Sequence, residues 1–187
     1  YNIAYRTDRR KNINGYIRYG NRDAEDGEYD KSVRAGMNLR PKSQWEIEFD
    51  VFTNREFDTD QYVATIVDPM ATNTYGSRYL FTDISTDSKG LTFEASYIKS
   101  PKLSFQFFFQ PELSNYHYDG LKEFLNPGQN DFLYYDNNQI NQIDDSTIEI
   151  DPDANGPAPS FLLSRGYIRG LNFLSHRSNV ILNWESS

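Results

Sequence analysis

Apolar residues recur at every second position over much of this chain, and that period leaves few folds open. From Ser32 to Arg40, Val33, Ala35, Met37 and Leu39 fall on one side of an extended strand, with Arg34, Gly36, Asn38 and Arg40 on the other. Trp45 to Val51 repeats the pattern: Trp45, Ile47, Phe49 and Val51 alternate with Glu46, Glu48 and Asp50. A turn at Pro41-Lys42-Ser43 would pair Leu39 with Trp45 and Val33 with Val51. That register sets Arg34 opposite Asp50, a favourable cross-strand pair of charges. The construction recurs in Leu91–Tyr97 and Leu103–Gln110, joined through Lys99-Ser100-Pro101. Weaker alternation marks Tyr1–Arg6, Ile13–Tyr19, Gln61–Asp68, Arg78–Ser85 and Ser178–Glu185. Helical periodicity is hard to find. The predicted fold is therefore all-β, an antiparallel meander of about nine strands.

The connections differ between the two ends of these strands. Thr7–Lys11, Pro41–Ser43, Pro69–Tyr75 and Lys99–Pro101 are short, whereas Asn21–Asp30, Asn54–Asp60 and the stretch from Pro111 to Arg177 are mostly longer. Thr86–Lys89 is a short exception. Short turns at one end and long loops at the other characterise outer-membrane β-barrels. No run of about 18 apolar residues occurs, which excludes a spanning helix and leaves a barrel open. Only 37% of residues are hydrophobic, yet 16% are aromatic, a balance that suits strands with one wet face. Tyr5, Tyr16, Tyr19, Trp45, Tyr62, Tyr79, Tyr97, Tyr116, Tyr118, Tyr134, Tyr135 and Trp184 fall largely near predicted strand ends, where membrane barrels place aromatic girdles. In a barrel, Arg34, Asn38, Arg40, Glu46, Glu48, Asp50, Glu94 and Gln106 would face the lumen. Val33, Met37, Leu39, Ile47, Phe49, Val51, Phe93, Phe105, Phe107 and Leu182 would face lipid.

Tyr1 is no initiator Met, and the chain stops just after an alternating run. We expect residues 1–187 to be a single barrel segment cut from a longer polypeptide. A long loop insertion is expected at about 111–170, where Asn, Asp, Pro and Gly cluster, free to cap the lumen or to meet an external partner.

Signals of chemistry are few. The formal charge of −8 argues against binding nucleic acid, which needs clustered cations to displace counterions. Cysteine is absent, so disulfides, thiolate metal sites and thiol catalysis are excluded. Asp151, Asp153 and Asn155, followed by Gly156, match the opening of a calcium loop, but Leu162 stands where a bidentate Glu belongs. An ordinary acidic turn accounts for the same residues, so no cofactor is expected beyond this candidate calcium site. Glu46, Glu48 and Asp50 resemble a glycosidase carboxylate set, yet any polar strand face with alternate acids shows that spacing. His117 and His176 are the only histidines, and no Gly-x-Ser-x-Gly elbow is present. The chain does not read as an enzyme.

Four segments carry a resemblance when taken together. They are 78–83 (Arg-Tyr-Leu-Phe-Thr-Asp), 103–111 (Leu-Ser-Phe-Gln-Phe-Phe-Phe-Gln-Pro), 118–124 (Tyr-Asp-Gly-Leu-Lys-Glu-Phe) and 177–185 (Arg-Ser-Asn-Val-Ile-Leu-Asn-Trp-Glu). They resemble the C-terminal region of a family of large Gram-negative outer-membrane proteins. In that family a domain like carbohydrate-binding module family 9 precedes a β-barrel domain of unknown function. The resemblance covers Arg78 to Glu185 and implies a membrane barrel; it supplies no catalytic motif, and the sugar-binding module lies outside this chain.

The favoured expectation is a barrel protein of the outer membrane, in contact with lipid, that binds or transports ligands at the cell surface without chemistry, glycans among the candidates. Two other readings stay open. One is a soluble secreted β-sandwich that binds carbohydrate through exposed Tyr and Trp. The other is a structural subunit whose acidic loops meet other outer-membrane proteins.

Overall fold

The computed structural model describes residues 1–126, 128–129, 131–154 and 156–185. The chain is all-β, and its main sheet is antiparallel with eight strands. Along its path lie β1 (Asn2–Arg6), β2 (Ile13–Asp23), β3 (Tyr29–Leu39), β4 (Trp45–Val67), β5 (Ser77–Ser100) and β6 (Leu103–Phe124). After β6 come four short strands, β7 (Phe132–Tyr134), β8 (Ile140–Gln142), β9 (Thr147–Ile150) and β10 (Phe161–Ser164), and then β11 (Leu171–Trp184). The order is β1-β2-β3-β4-β5-β6-β11, with β7 paired to β6 off this path, while β10-β9-β8 form a separate small sheet. The main sheet is not closed into a barrel within this chain.

Two pairs of predicted strands merge. Trp45–Val51 and all of Gln61–Asp68 but its last residue belong to the one strand β4, of 23 residues, and Arg78–Ser85 and Leu91–Tyr97 to β5, of 24. The expected connections at Asn54–Asp60 and Thr86–Lys89 are therefore strand. Their polar residues make strand contacts instead of turns: across the strands Arg55 Nε lies 3.3 Å from Asp87 Oδ2, and along β5 Lys89 Nζ lies 3.5 Å from Asp87 Oδ1. A polar ladder residue and a turn residue have the same composition, so alternation cannot separate them. The predicted loop at 111–170 starts later than expected, because β6 runs to Phe124 and the rest contains β7 to β10.

With 22 to 24 residues each, β4, β5 and β6 are several-fold longer than the usual strand. A bilayer crossing takes about 9–11 residues, so each is long enough to cross and to continue well beyond. The expected end-to-end asymmetry holds only in part: 68–76, expected as a short turn after an odd-numbered strand, changes ends, and 24–28 is no longer than 7–12. Residues 7–12, 40–44 and 101–102 follow odd-numbered strands, whereas 24–28, 68–76 and 125–170 follow even-numbered ones.

The chain divides into two compact units. The first comprises Tyr1–Glu56, Thr86–Asn115 and Asn172–Ser187, and the second Phe57–Ser85 and Tyr116–Leu171. Their interiors differ in kind. Every buried hydrophobic residue among the described residues lies in the second unit: Val63, Leu80, Leu121, Tyr135, Ile148, Ile150 and Leu163. Leu80 and Leu121 project from β5 and β6, and the small sheet contributes Ile148, Ile150 and Leu163 to the same cluster. In the first unit no described hydrophobic residue is buried.

Candidate functional site

In the first unit the sheet has two contrasting faces. Cross-strand register places Tyr5 beside Ile17 and Ile17 beside Ala35, Ile3 beside Tyr19 and Tyr19 beside Val33, and Ile13 beside Leu39. The alternation in β4, β5, β6 and β11 extends this apolar face. Phe93 and Phe107 meet with ring centroids 5.9 Å apart. Val33, Met37, Phe49, Val51 and Phe105 are between 37% and 43% exposed, and Leu182 is 66% exposed. Leu39, Ile47, Phe93 and Phe107 are half-buried. From Leu39 to Val33 this surface is about 20 Å tall.

Its borders are of a different chemistry. Beside the short turns, the Trp45 and Tyr97 rings lie 4.5 Å apart. Trp184 is 73% exposed next to Glu185, whose N–H donates to the Lys102 carbonyl in the β5–β6 turn. Farther along the strands, Lys31, Arg55 and Lys89 edge the surface formed by Val33, Val51 and Leu91. Long basic side chains can lay their methylenes on an apolar surface and carry the charge to its rim.

The opposite face is a hydrogen-bonded charge ladder. Arg34 Nε donates to Asp50 Oδ1 at 2.9 Å, across the register read from the alternation. Tyr16 donates its hydroxyl proton to the same carboxylate oxygen. Asn38 Nδ2 donates to Glu48 Oε1 at 2.7 Å, and Arg40 Nε to Glu46 Oε1 at 2.9 Å. Glu94 and Gln106 are exposed on β5 and β6. Thus Arg34, Asn38, Arg40, Glu46, Glu48 and Asp50 come together as one group, and the apolar residues expected to face lipid share the other side.

Gly36 makes the centre of this ladder possible. It stands opposite Tyr16, whose ring fills the space a side chain would take. A Cβ at Gly36 would lie 2.5 Å from Tyr16 Cε1 and 2.5 Å from Asp50 Oδ2, and the hydrogen bond between those two side chains limits their retreat. Gly36→Ala should therefore destabilise the first unit by about 1–3 kcal/mol, as overpacking does. Denaturant titration followed by tryptophan fluorescence reads this directly, because Trp45 and Trp184 both lie in that unit. A midpoint equal to wild type would show that the ring swings aside freely.

The second unit holds two buried charge clusters that the sequence did not announce. Arg78 Nε bonds Asp68 Oδ2 at 2.7 Å, and its Nη1 bonds Glu123 Oε2 at 2.7 Å. Tyr135 donates its hydroxyl proton to Glu123 Oε2 at 2.8 Å, and the Met70 N–H donates to Asp68 Oδ1 at 2.9 Å. Burial opposes ionisation of Asp68, but the Met70 N–H and the Arg78 guanidinium outweigh it and hold the carboxyl below its ordinary range. Burial, followed by the Glu123 charge, raises Tyr135 and keeps its hydroxyl protonated. In the other cluster Lys122, 1% exposed, donates to Asp83 at 2.8 Å, with its Nζ 4.5 Å from the Phe132 ring centroid. Such groups are separated widely in sequence, as Arg78 and Glu123 are, so no local motif could reveal them.

The acidic turn uses its carboxylates internally. Asp153 accepts hydrogen bonds from the Gly156 N–H at 3.1 Å and the Ala158 N–H at 2.8 Å. The Asp153 N–H donates to Asp151 Oδ1 at 3.4 Å, and Asn155 lies outside the described residues. The Ala158 N–H above all holds the Asp153 carboxyl below its usual range. Among the described residues, no group of three or more His, Cys, Asp or Glu is placed to hold a metal ion.

No family model, no curated protein and no solved structure matches this chain. The residues themselves carry the functional argument.

Proposed function

We propose that this chain is a wall segment of an integral outer-membrane β-barrel protein that binds or passes ligands at the cell surface and performs no chemistry of its own. One observation carries the reading: the first unit spreads an apolar face across its strands and buries none of its described hydrophobic residues. In water an exposed apolar surface of this extent would drive association. Against acyl chains it is the solvated side, and the charge ladder opposite becomes the lumen wall. The aromatic row at Trp45, Tyr97 and Trp184 and the cations at Lys31, Arg55 and Lys89 suit the two interfaces of such a band. The resemblance drawn from the segments at 78–83, 103–111, 118–124 and 177–185, which no family model matches, points the same way, and glycans are among the ligands we propose.

The test uses the whole protein that contains this chain. Membranes are fractionated, and the gel mobility of boiled and unboiled protein is compared. Recovery in the outer membrane with a mobility shift on heating is the expected result. Recovery in a soluble fraction without that shift would overturn the proposal.

A further inference from the structure

The N-terminal end of the first unit, β1, β2 and the turn between them, carries an excess of cations. Residues 1–22 hold six Lys and Arg and a single acid, Asp8, in a chain whose formal charge is −8. Asp8 pairs with Arg10 at 3.8 Å. Arg6, Arg9 and Arg18 are exposed and, among the described residues, have no carboxylate within 4.0 Å.

Arg18 is the most telling of the three. It stands directly across from Arg34 in the β2–β3 register, and like charges so placed cost stability. Asp50 answers Arg34, but nothing answers Arg18. The guanidinium groups of Arg6 and Arg18 lie over the Tyr16 ring, 5.5 and 5.6 Å from its centroid. The ring orients both cations and leaves their charge uncompensated.

Beside them opens a cleft of about 370 Å³, lined among others by Arg6, Arg9, Asn14, Tyr16, Asn38 and Glu48. That volume falls in the range of small-ligand pockets. Asn38 Oδ1 has no hydrogen-bond partner, and Glu48 pairs with no cation among the described residues. Cations without a carboxylate partner therefore stand next to one unpaired acceptor, Asn38 Oδ1, and to a carboxylate held only by the Asn38 amide.

We propose that this face of β1–β3 binds an acidic oligosaccharide. Its carboxylate or sulfate groups would lie against the planar forks of Arg6, Arg9 and Arg18, which match such oxygens two at a time. Its hydroxyls would donate to Glu48 and accept from the Asn14 amide. A ligand that was anionic and nothing more would be repelled by Glu48, whereas a polyhydroxylated anion puts that carboxylate to use. The proposal rests on the reading of this face as the one turned away from lipid.

The experiment is calorimetric titration of the purified whole protein in detergent with trigalacturonate, a sulfated heparin disaccharide and neutral maltotriose. Binding of the first or the second tells whether carboxylate or sulfate is recognised; it should weaken as salt rises, and maltotriose should not bind. Arg9→Gln and Arg18→Gln should each lower affinity about tenfold, the loss of one charge-assisted contact. Arg18→Gln should also leave the thermal midpoint unchanged or raised, since it removes a like-charged neighbour. Failure of both acidic sugars to bind, or binding that neither substitution alters, overturns the proposal. The two readings fail separately. A soluble protein that binds the sugars keeps this site and sinks the membrane reading; a heat-modifiable barrel that binds neither does the reverse.

Discussion

Replacing Arg78 by Met in the whole protein is expected to cost about 3–5 kcal/mol in the second unit, because two buried carboxylates lose the cation they share. Asp68 and Glu123 are 3% and 7% exposed at their side chains, so water cannot replace the guanidinium. The loss should appear as faster proteolysis within residues 116–171 and faster amide exchange around Leu80 and Ile150. Tryptophan fluorescence would miss it, since both tryptophans lie in the first unit.

The sign of the pH effect follows from Asp68. Its carboxyl is held below the ordinary value of 3.8, so in the native protein its contribution is complete above that value and is lost as pH falls below it. In the Met variant the cation is gone and only the Met70 N–H still opposes burial, which shifts Asp68 toward the protonated acid. The variant should therefore be most impaired near neutrality and closest to wild type in mild acid. A pH-independent penalty would show that lost packing, and not stranded charge, is the cause.

Phe107→Arg is expected to destabilise the first unit by about 2–4 kcal/mol if Phe107 sits near the bilayer midplane. Its ring lies against Phe93 on the apolar face. Gln106→Arg, one residue away on the other face, should stay within about 0.5 kcal/mol of wild type. Both are measured by urea titration of protein refolded into phospholipid vesicles, with Trp45 and Trp184 as reporters. Equal tolerance at the two positions would count against the faces assigned to them.

What the sequence disclosed follows from the range of the signal. The hairpin of β3 and β4 was legible because one face is apolar throughout, so Val33 to Leu39 and Trp45 to Val51 fix each other's register and bring Arg34 to Asp50. The polar continuation of β4 through Asn54 and Asp58 carries no such contrast, and there a strand looks like a loop. The small sheet was hidden for a related reason. Its strands are three or four residues long and sit among Asp, Asn, Gly and Pro, so Ile148, Ile150 and Leu163 give no period to read. At the candidate site, the Arg34–Asp50 ladder was visible from spacing alone. Arg6 and Arg18 give no such signal because their strands alternate weakly, and Tyr16, which reads as a girdle aromatic, turns to the polar face and bonds Asp50. The excess of cations in the first 22 residues was the available sign.

The two units also differ in what they ask of a side chain. Leu80 and Ile150 are enclosed by neighbours of fixed shape, so a replacement there must match volume and outline. Fluid hydrocarbon adapts to any apolar contour, and in the membrane setting proposed above the apolar face of the first unit would answer to a demand on composition alone. Val, Ile, Leu and Phe can trade places along Val33, Phe49, Phe105 and Leu182 with little consequence. Drift should therefore erase the wall of such a protein first, leaving descent to be traced through the enclosed residues and the charges that pair inside them.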